Sequence, residues 1–161
     1  MLTLRPATPS DIRLYFDWAN DPETRQQSFN SEPISWENHE AWFARKVADP
    51  NALLLVFETD NNVPVGQVRF EKQTEGEVII GISVDNAFRG RGLATQLVAE
   101  ACRVCGEHWG NVPITAYIKP ENQASIRAFE RAGFTPSGES LTFVNAALRL
   151  VRIPSNNQVT A

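Results

Sequence analysis

The chain has 161 residues, a formal net charge of −4, and 42% hydrophobic and 21% charged residues. This describes one soluble domain with a single sizeable core, and the acidic balance argues against a nucleic-acid binder held by a broad basic surface. Met1-Leu2-Thr3-Leu4-Arg5-Pro6 holds no apolar signal core and no stretch is long enough to span a bilayer, so the cytoplasm is the expected location and no membrane partner is expected.

Residues 2–5 read as a first short strand. Pro9-Ser10 opens a helix with Ser10 as N-cap and Asp11 in the first turn. Ile12, Tyr15, Phe16 and Ala19 share a face, Trp18 lies beside them, and Asn20-Asp21-Pro22 ends the helix. Residues 23–33 are polar around a single Phe29 and read as a loop or short helix. Ser35 caps a second helix to about residue 49. Its apolar stripe is Trp36, Phe43 and Val47, with Trp42 adjoining and His39 three residues after Trp36. Residues 53–59 form a buried strand, Asp60-Asn61-Asn62 a turn, and 65–72 an alternating strand. In that strand Val68 and Phe70 face one way, Gln67 and Arg69 the other. After a turn at 73–76, residues 77–84 carry the run Val78-Ile79-Ile80-Gly81-Ile82-Ser83-Val84, a buried central strand.

A helix follows to about Trp109, with Leu93, Leu97, Ala101 and Val104 on one stripe and Gly110-Asn111 as its stop. Cys102 and Cys105 lie well inside it, with His108 three residues further on. Mid-helix thiolates gain nothing from the helix dipole, and two cysteines with one histidine make an incomplete zinc set. They read as small core residues, and no metal is expected. Ile114–Ile118 is a strand. Pro120-Glu121-Asn122 leads into a helix over 123–132 that Gly133 stops, and 134–140 and 146–153 are two last strands. A polar tail, 154–161, follows a single domain of 1–153. The order is β, α, α, three strands, α, β, α, β, β. This is an α/β (mixed α+β) arrangement, in which one mixed sheet with helices on both faces buries these patterns.

Between the central strand and its helix runs Asp85-Asn86-Ala87-Phe88-Arg89-Gly90-Arg91-Gly92-Leu93-Ala94-Thr95. Two glycines bare the backbone where the helix's first amides lack partners and its dipole is positive, and Arg89 and Arg91 add charge, so the turn suits an anion such as a pyrophosphate. A nucleotide-phosphate loop needs Gly-Lys-Ser/Thr, which is absent. A dinucleotide fingerprint needs a third glycine where Thr95 stands, and repeated βαβ units. An acetyl-coenzyme A loop and a plain glycine turn with solvated arginines remain.

Arg89-Gly90-Arg91-Gly92-Leu93-Ala94 matches the Gln/Arg-x-x-Gly-x-Gly/Ala loop of the GNAT acetyltransferase superfamily, which the chain resembles over essentially its whole length. Asn122-Gln123-Ala124-Ser125-Ile126-Arg127-Ala128-Phe129-Glu130-Arg131-Ala132-Gly133-Phe134 resembles that family's second block, with Asn, a small residue at plus three, an aromatic at plus seven, then Gly-Phe. The resemblance implies a GNAT fold in which strands 77–84 and Ile114–Ile118 splay apart around acetyl-CoA. It implies backbone contacts to the pantetheine arm at Ile82, Ser83 and Val84. The pyrophosphate would sit on the amides of Arg89, Gly90, Arg91, Gly92, Leu93, Ala94 and Thr95. Asn122, Ser125 and Phe129 would approach the cofactor from the other side.

The implied chemistry is direct attack of a primary amine on the thioester within a ternary complex, which asks for a base and for donors to the oxyanion. Many members carry a tyrosine at plus seven as general acid, and Phe129 cannot donate a proton. Tyr117, on the neighbouring strand, is the candidate substitute. Glu77, at the start of the central strand, and His39, from the helices that shape the acceptor pocket, are the base candidates. The alternatives are a half-buried sheet tyrosine, a strand-end charge, and a polar position beside Trp36 and Trp42. The first third, with Trp18, Asn20-Asp21-Pro22, Asn30 and the His39–Phe43 cluster, resembles acetyltransferases of the pseudaminic acid pathway. These acetylate the 4-amino group of a UDP-linked amino-deoxysugar. Acetylation of protein N-termini or small amines, and a non-catalytic acyl-CoA-binding module, are the other readings. A monomer or homodimer is expected, with Leu141-Thr142-Phe143-Val144 as a candidate intermolecular strand.

Overall fold

A computed structural model describes residues 2–142 and 145–154, without the side chains of 138–142, 145 and 146. Among the described residues seven strands form one sheet. They are β1 (Thr3–Pro6), β2 (Ala52–Glu58), β3 (Pro64–Lys72), β4 (Val78–Val84), β5 (Ile114–Ile118), β6 (Thr135–Thr142) and β7 (Asn145–Arg152), in the order β1-β2-β3-β4-β5-β7-β6. Neighbours are antiparallel except β4 and β5, which are parallel. The helices are α1 (Ile12–Ala19), α2 (Pro22–Gln27), α3 (Trp36–Val47), α4 (Leu93–Trp109) and α5 (Gln123–Arg131). No helix among the described residues is long and apolar enough to cross a membrane.

Strand alternation sorts the sheet into two faces. Leu55, Phe57, Val68, Phe70 and Ile80 pack with Leu97, Val98 and Ala101 of α4 and Ile126 of α5 in the larger core. On the opposite face Leu54 and Val56 pack against Tyr15 and Trp18 of α1 and Phe43 of α3. Register carries that second face across the sheet, since Leu54 pairs with Arg69, Arg69 with Gly81, and Tyr117 with Arg149. Cys102 and Cys105 are core residues, as their composition suggested. Burial pushes their thiols up to about 12 and about 11, and no metal-binding cluster occurs among the described residues.

The expected mixed sheet with helices on both faces is present. β4 and β5 pair only at Val78↔Ile114 and Ile79↔Thr115, and beyond Ile79 they part. Ile82, Ser83 and Val84 pair with β3 alone, so their other edge faces the gap. Three details differ from expectation. Thr8, not Ser10, caps the first turn, because Arg5 and the Thr8 amide both converge on Asp11 at 2.8 Å. Of the two readings of residues 23–33, the short helix is present, but it starts one residue earlier, at Pro22, and runs to Gln27. Asp21 accepts from the Thr24 amide at 3.1 Å and Pro22 fills the first position, so Asp-Pro starts α2 as well as ending α1. The strands expected at 134–140 and 146–153 are shifted by one or two residues, because the Phe134 amide bonds the Phe129 carbonyl at 3.0 Å and stays with the end of α5. The tail from 155 on, and Phe143 and Val144, lie outside the described residues.

Candidate functional site

Asp85 fixes the chain as it leaves β4. Its carboxylate accepts from the Ala87 amide at 2.9 Å and from Trp18 Nε1 at 2.8 Å. Gly90 and Gly92 then take φ of 77° and 71°, conformations that suit glycine. Gly92 is the N-cap of α4, so no side chain accepts from the first-turn amides, and that turn has no acidic residue. A Cβ on Gly90 or Gly92 would meet nothing within 4 Å. Backbone shape and open space above it, rather than internal packing, therefore call for glycine at both positions.

A cleft of about 320 Å³ opens at this turn, with Val84, Gly90, Gly92, Leu93 and Thr95 on one wall and Ala124, Arg127, Ala128 and Arg131 of α5 on the other. Spacings of three and four residues put two alanines and two arginines on one side of α5. The alanines leave room and the arginines bring charge. Open helix amides, bare glycines and cations are the donor set a pyrophosphate requires. Arg91 lies over the Phe88 ring at 5.3 Å. Arg89 also lines the cleft, but its charge is already met by Asp21 at 2.7 Å and by Glu23, another lining residue, at 2.9 Å. Burial opposes ionisation of Asp21, yet the bonds from Arg89 and the Thr24 amide hold its carboxyl below the usual range. Lys119, just after β5, donates to the Gln26 carbonyl at 2.7 Å. The ends of both splayed strands thus hold α2.

On the second face the Tyr117 hydroxyl donates to Glu77 Oε1 at 3.0 Å. Arg149 stands 3.9 Å from Glu77 Oε2 and donates to Ser137 Oγ at 2.9 Å. Burial, then the bond to Glu77, raise the Tyr117 pKa, so the phenol keeps its proton at neutral pH. Gln67 Nε2 donates to Ser83 Oγ at 3.1 Å behind the gap.

The profile of the acetyltransferase (GNAT) domain matches residues 1–135. The chain belongs to the GNAT acetyltransferase family. It is 32% identical over 126 residues to the mycothiol acetyltransferase of Gordonia bronchialis, an alignment that takes in 74% of this chain and 36% of that protein. The chain therefore spans about a third of the length of that relative. Among solved structures it is similar to an aminoglycoside acetyltransferase in complex with coenzyme A, with a TM-score of 0.83, 19% identity and 99% of each chain covered. It is also similar to the spermidine N-acetyltransferase of Vibrio cholerae in complex with CoA and spermine, with a TM-score of 0.84, 20% identity, and 94% of this chain and 95% of that chain covered.

Within this GNAT chain, four expected site residues sit in other surroundings than the sequence suggested. His39 is 2% exposed. Its Nε2 bonds the Ile12 carbonyl at 2.8 Å and its ring lies among Phe16, Trp36, Trp42 and Phe43, so the geometry ties α3 to α1 and does not bring His39 to Glu77 and Tyr117. Phe129 is 3% exposed and edge-on to Phe134 at 5.0 Å, a core position with little surface left for a cofactor. Asn122 caps α5, its Oδ1 accepting from the Ser125 amide at 3.3 Å, and neither residue is among those lining the cleft. Glu77 and Tyr117 are brought together, and Val84 and the glycine turn do line the cleft. Sequence reading passed over Arg127 and Arg131. Their signal was the Ala124-x-x-Arg127-Ala128-x-x-Arg131 spacing, inside the very block that carried the family resemblance.

Proposed function

We propose that this chain transfers the acetyl group of acetyl-CoA to a primary amine of a small acceptor. The observation that carries this reading is the glycine-capped N-terminus of α4, opening on a cleft that Val84, the last residue of the splayed strand β4, also lines. Acetyl-CoA supplies the activated acyl group. First-turn amides of α4, with Arg127 and Arg131, would take its phosphates, and the free edge of β4 at Ile82, Ser83 and Val84 would take the pantetheine arm. Names of similar proteins, for mycothiol, aminoglycoside and spermidine acetylation, support a small amine as acceptor.

In this reading the nitrogen–carbon bond forms and the carbon–sulfur bond breaks through a tetrahedral oxyanion. Glu77 takes the proton from the amine, directly or through one water, and Tyr117 gives its phenolic proton to the leaving sulfur. Their hydrogen bond then carries one proton from Glu77 back to Tyr117, which restores the pair. Tyr117 thus fills the role that Phe129 leaves empty, and His39 is a packing residue.

Among acceptors, the UDP-linked 4-amino-deoxysugar is the finer reading; peptide N-termini and polyamines are its rivals. Thiol release from acetyl-CoA, followed across a panel of all three and of amino acids, tests the proposal. At least one small amine should release thiol well above hydrolysis. Acetyl-CoA binding without release for any amine would refute catalysis and favour an acyl-CoA-binding module.

A further inference from the structure

We infer that the acceptor amine carries an acid group, which Arg69, backed by Arg25, binds beside the reacting centre. This rests on the transfer reading above. Arg69 reaches from β3 on the second face, directly across from Gly81. A Cβ on Gly81 would lie 2.7 Å from Arg69 Cζ and 2.9 Å from each terminal nitrogen, nearly equal distances that place the guanidinium over the bare Cα. That Cα lies where β4 has just left β5. Counting on from the Ile79↔Thr115 pair puts Tyr117 level with Gly81 across the gap. A guanidinium thus stands at the mouth of the gap, on the side from which the amine must come.

No carboxylate pairs with Arg69 or Arg25 among the described residues. The acids of the region have other partners: Glu71 with Lys46, Glu77 with Tyr117 and Arg149, Asp11 with Arg5, Asp21 with Arg89, and Asp85 with Trp18. Among the described residues Arg25 bonds only neutral oxygens, the carbonyls of Ala19 at 2.7 Å, Asn30 at 3.0 Å and Glu32 at 3.1 Å, and Ser28 Oγ at 3.1 Å. The two cations are close enough to interact, since the Arg25 pKa is lowered by burial and then by Arg69. Two partly buried cations that pair with no carboxylate among the described residues repel each other, and an anion near both relieves that repulsion. The same charges lower the pKa of an arriving ammonium and favour the neutral nucleophile, whereas a polycation is repelled.

The acid has two sources, a carboxylate next to the amine, as in an amino acid, or the diphosphate of a nucleotide sugar. The test is calorimetric binding of N-acetylated products to the protein–CoA complex, in matched pairs: an N-acetyl amino acid against its primary amide, and a UDP-linked N-acetylamino-sugar against the free sugar. The acid member of one pair should bind at least about tenfold more tightly, as expected for a charge-assisted bidentate contact. Which pair shows the preference names the source. Arg69→Gln should abolish it and leave CoA affinity unchanged. Gly81→Ala should do the same while keeping the charge, because its methyl displaces the fork, a flexible group that can move aside. Equal binding within both pairs, no binding by any acid member, or a preference that survives Arg69→Gln would overturn the inference. A preference without turnover of any amine would support this site and refute the transfer reading instead.

Discussion

Replacing Gly92 by alanine separates what the backbone needs from what a ligand needs. Gly92 has φ 71° and ψ 19°, and a Cβ there meets nothing within 4 Å. The intrinsic penalty is then the left-handed conformation alone, about 1 kcal/mol. In a domain of this size that lowers Tm by about 2–4 °C. The new methyl would occupy the space a phosphate needs to reach the α4 amides. Losing one charge-assisted hydrogen bond costs about 1.5–3 kcal/mol, a rise of about 10- to 150-fold in the Kd for CoA. Gly110 provides the control. It has φ 83° and ψ −171°, a Cβ there also meets nothing within 4 Å, and it closes the far end of α4, about 26 Å away. Gly110→Ala should lower Tm at least as much and leave CoA affinity unchanged. Thermal melts and calorimetric titration with CoA read both quantities. If Gly92→Ala keeps its CoA affinity within twofold, or both variants weaken CoA equally, the cradle reasoning fails.

Removing both Arg127 and Arg131 by alanine substitution should weaken CoA by about 0.5–1 kcal/mol each, an effect that fades as salt rises, because both side chains are exposed. Glu77→Gln and Tyr117→Phe should each lower kcat by about 100-fold or more with KM for acetyl-CoA little changed, read by steady-state thiol release. Arg5 holds the Asp11 carboxyl below the usual aspartate range against the opposing effect of burial. The folded state therefore binds this proton less readily than the unfolded one. The stabilisation is present above the ordinary aspartate pKa and lost as pH falls through the lowered value. Urea midpoints should show Asp11→Asn less stable than the parent by about 1–2 kcal/mol near pH 6, with the difference shrinking progressively as pH falls below the ordinary aspartate range. Gly66→Ala should destabilise the fold by about 1–3 kcal/mol, since its Cβ would lie 2.6 Å from the Ser83 carbonyl oxygen, a backbone atom that cannot swing aside.

The strands and the glycine turn were legible because each is a local signal. A β-branched run such as 78–84 and two glycines before an apolar stripe do not depend on distant contacts. His39 misled because a histidine near tryptophans suggests a site, although its place between Trp36 and Phe43 on the α3 stripe already pointed inward. The ion pairs of Arg89 were not legible because its partners, Asp21 and Glu23, lie more than sixty residues away, and charge alone cannot say whether a cation is free. Arg127 and Arg131 were passed over, since only the packing of α5 beside the α4 turn shows which side borders the cleft. The Arg69–Gly81 contact needed the β3–β4 register, which alternation in either strand leaves undetermined.

The most direct measurement mixes the protein with acetyl-CoA labelled at its carbonyl carbon and the amine panel, and follows that carbon by nuclear magnetic resonance. The account predicts that the thioester signal gives way to an amide signal, one amide for each thiol freed, and that acid-bearing amines react first. A thioester signal that persists with every amine, or that turns only into free acetate, would contradict it.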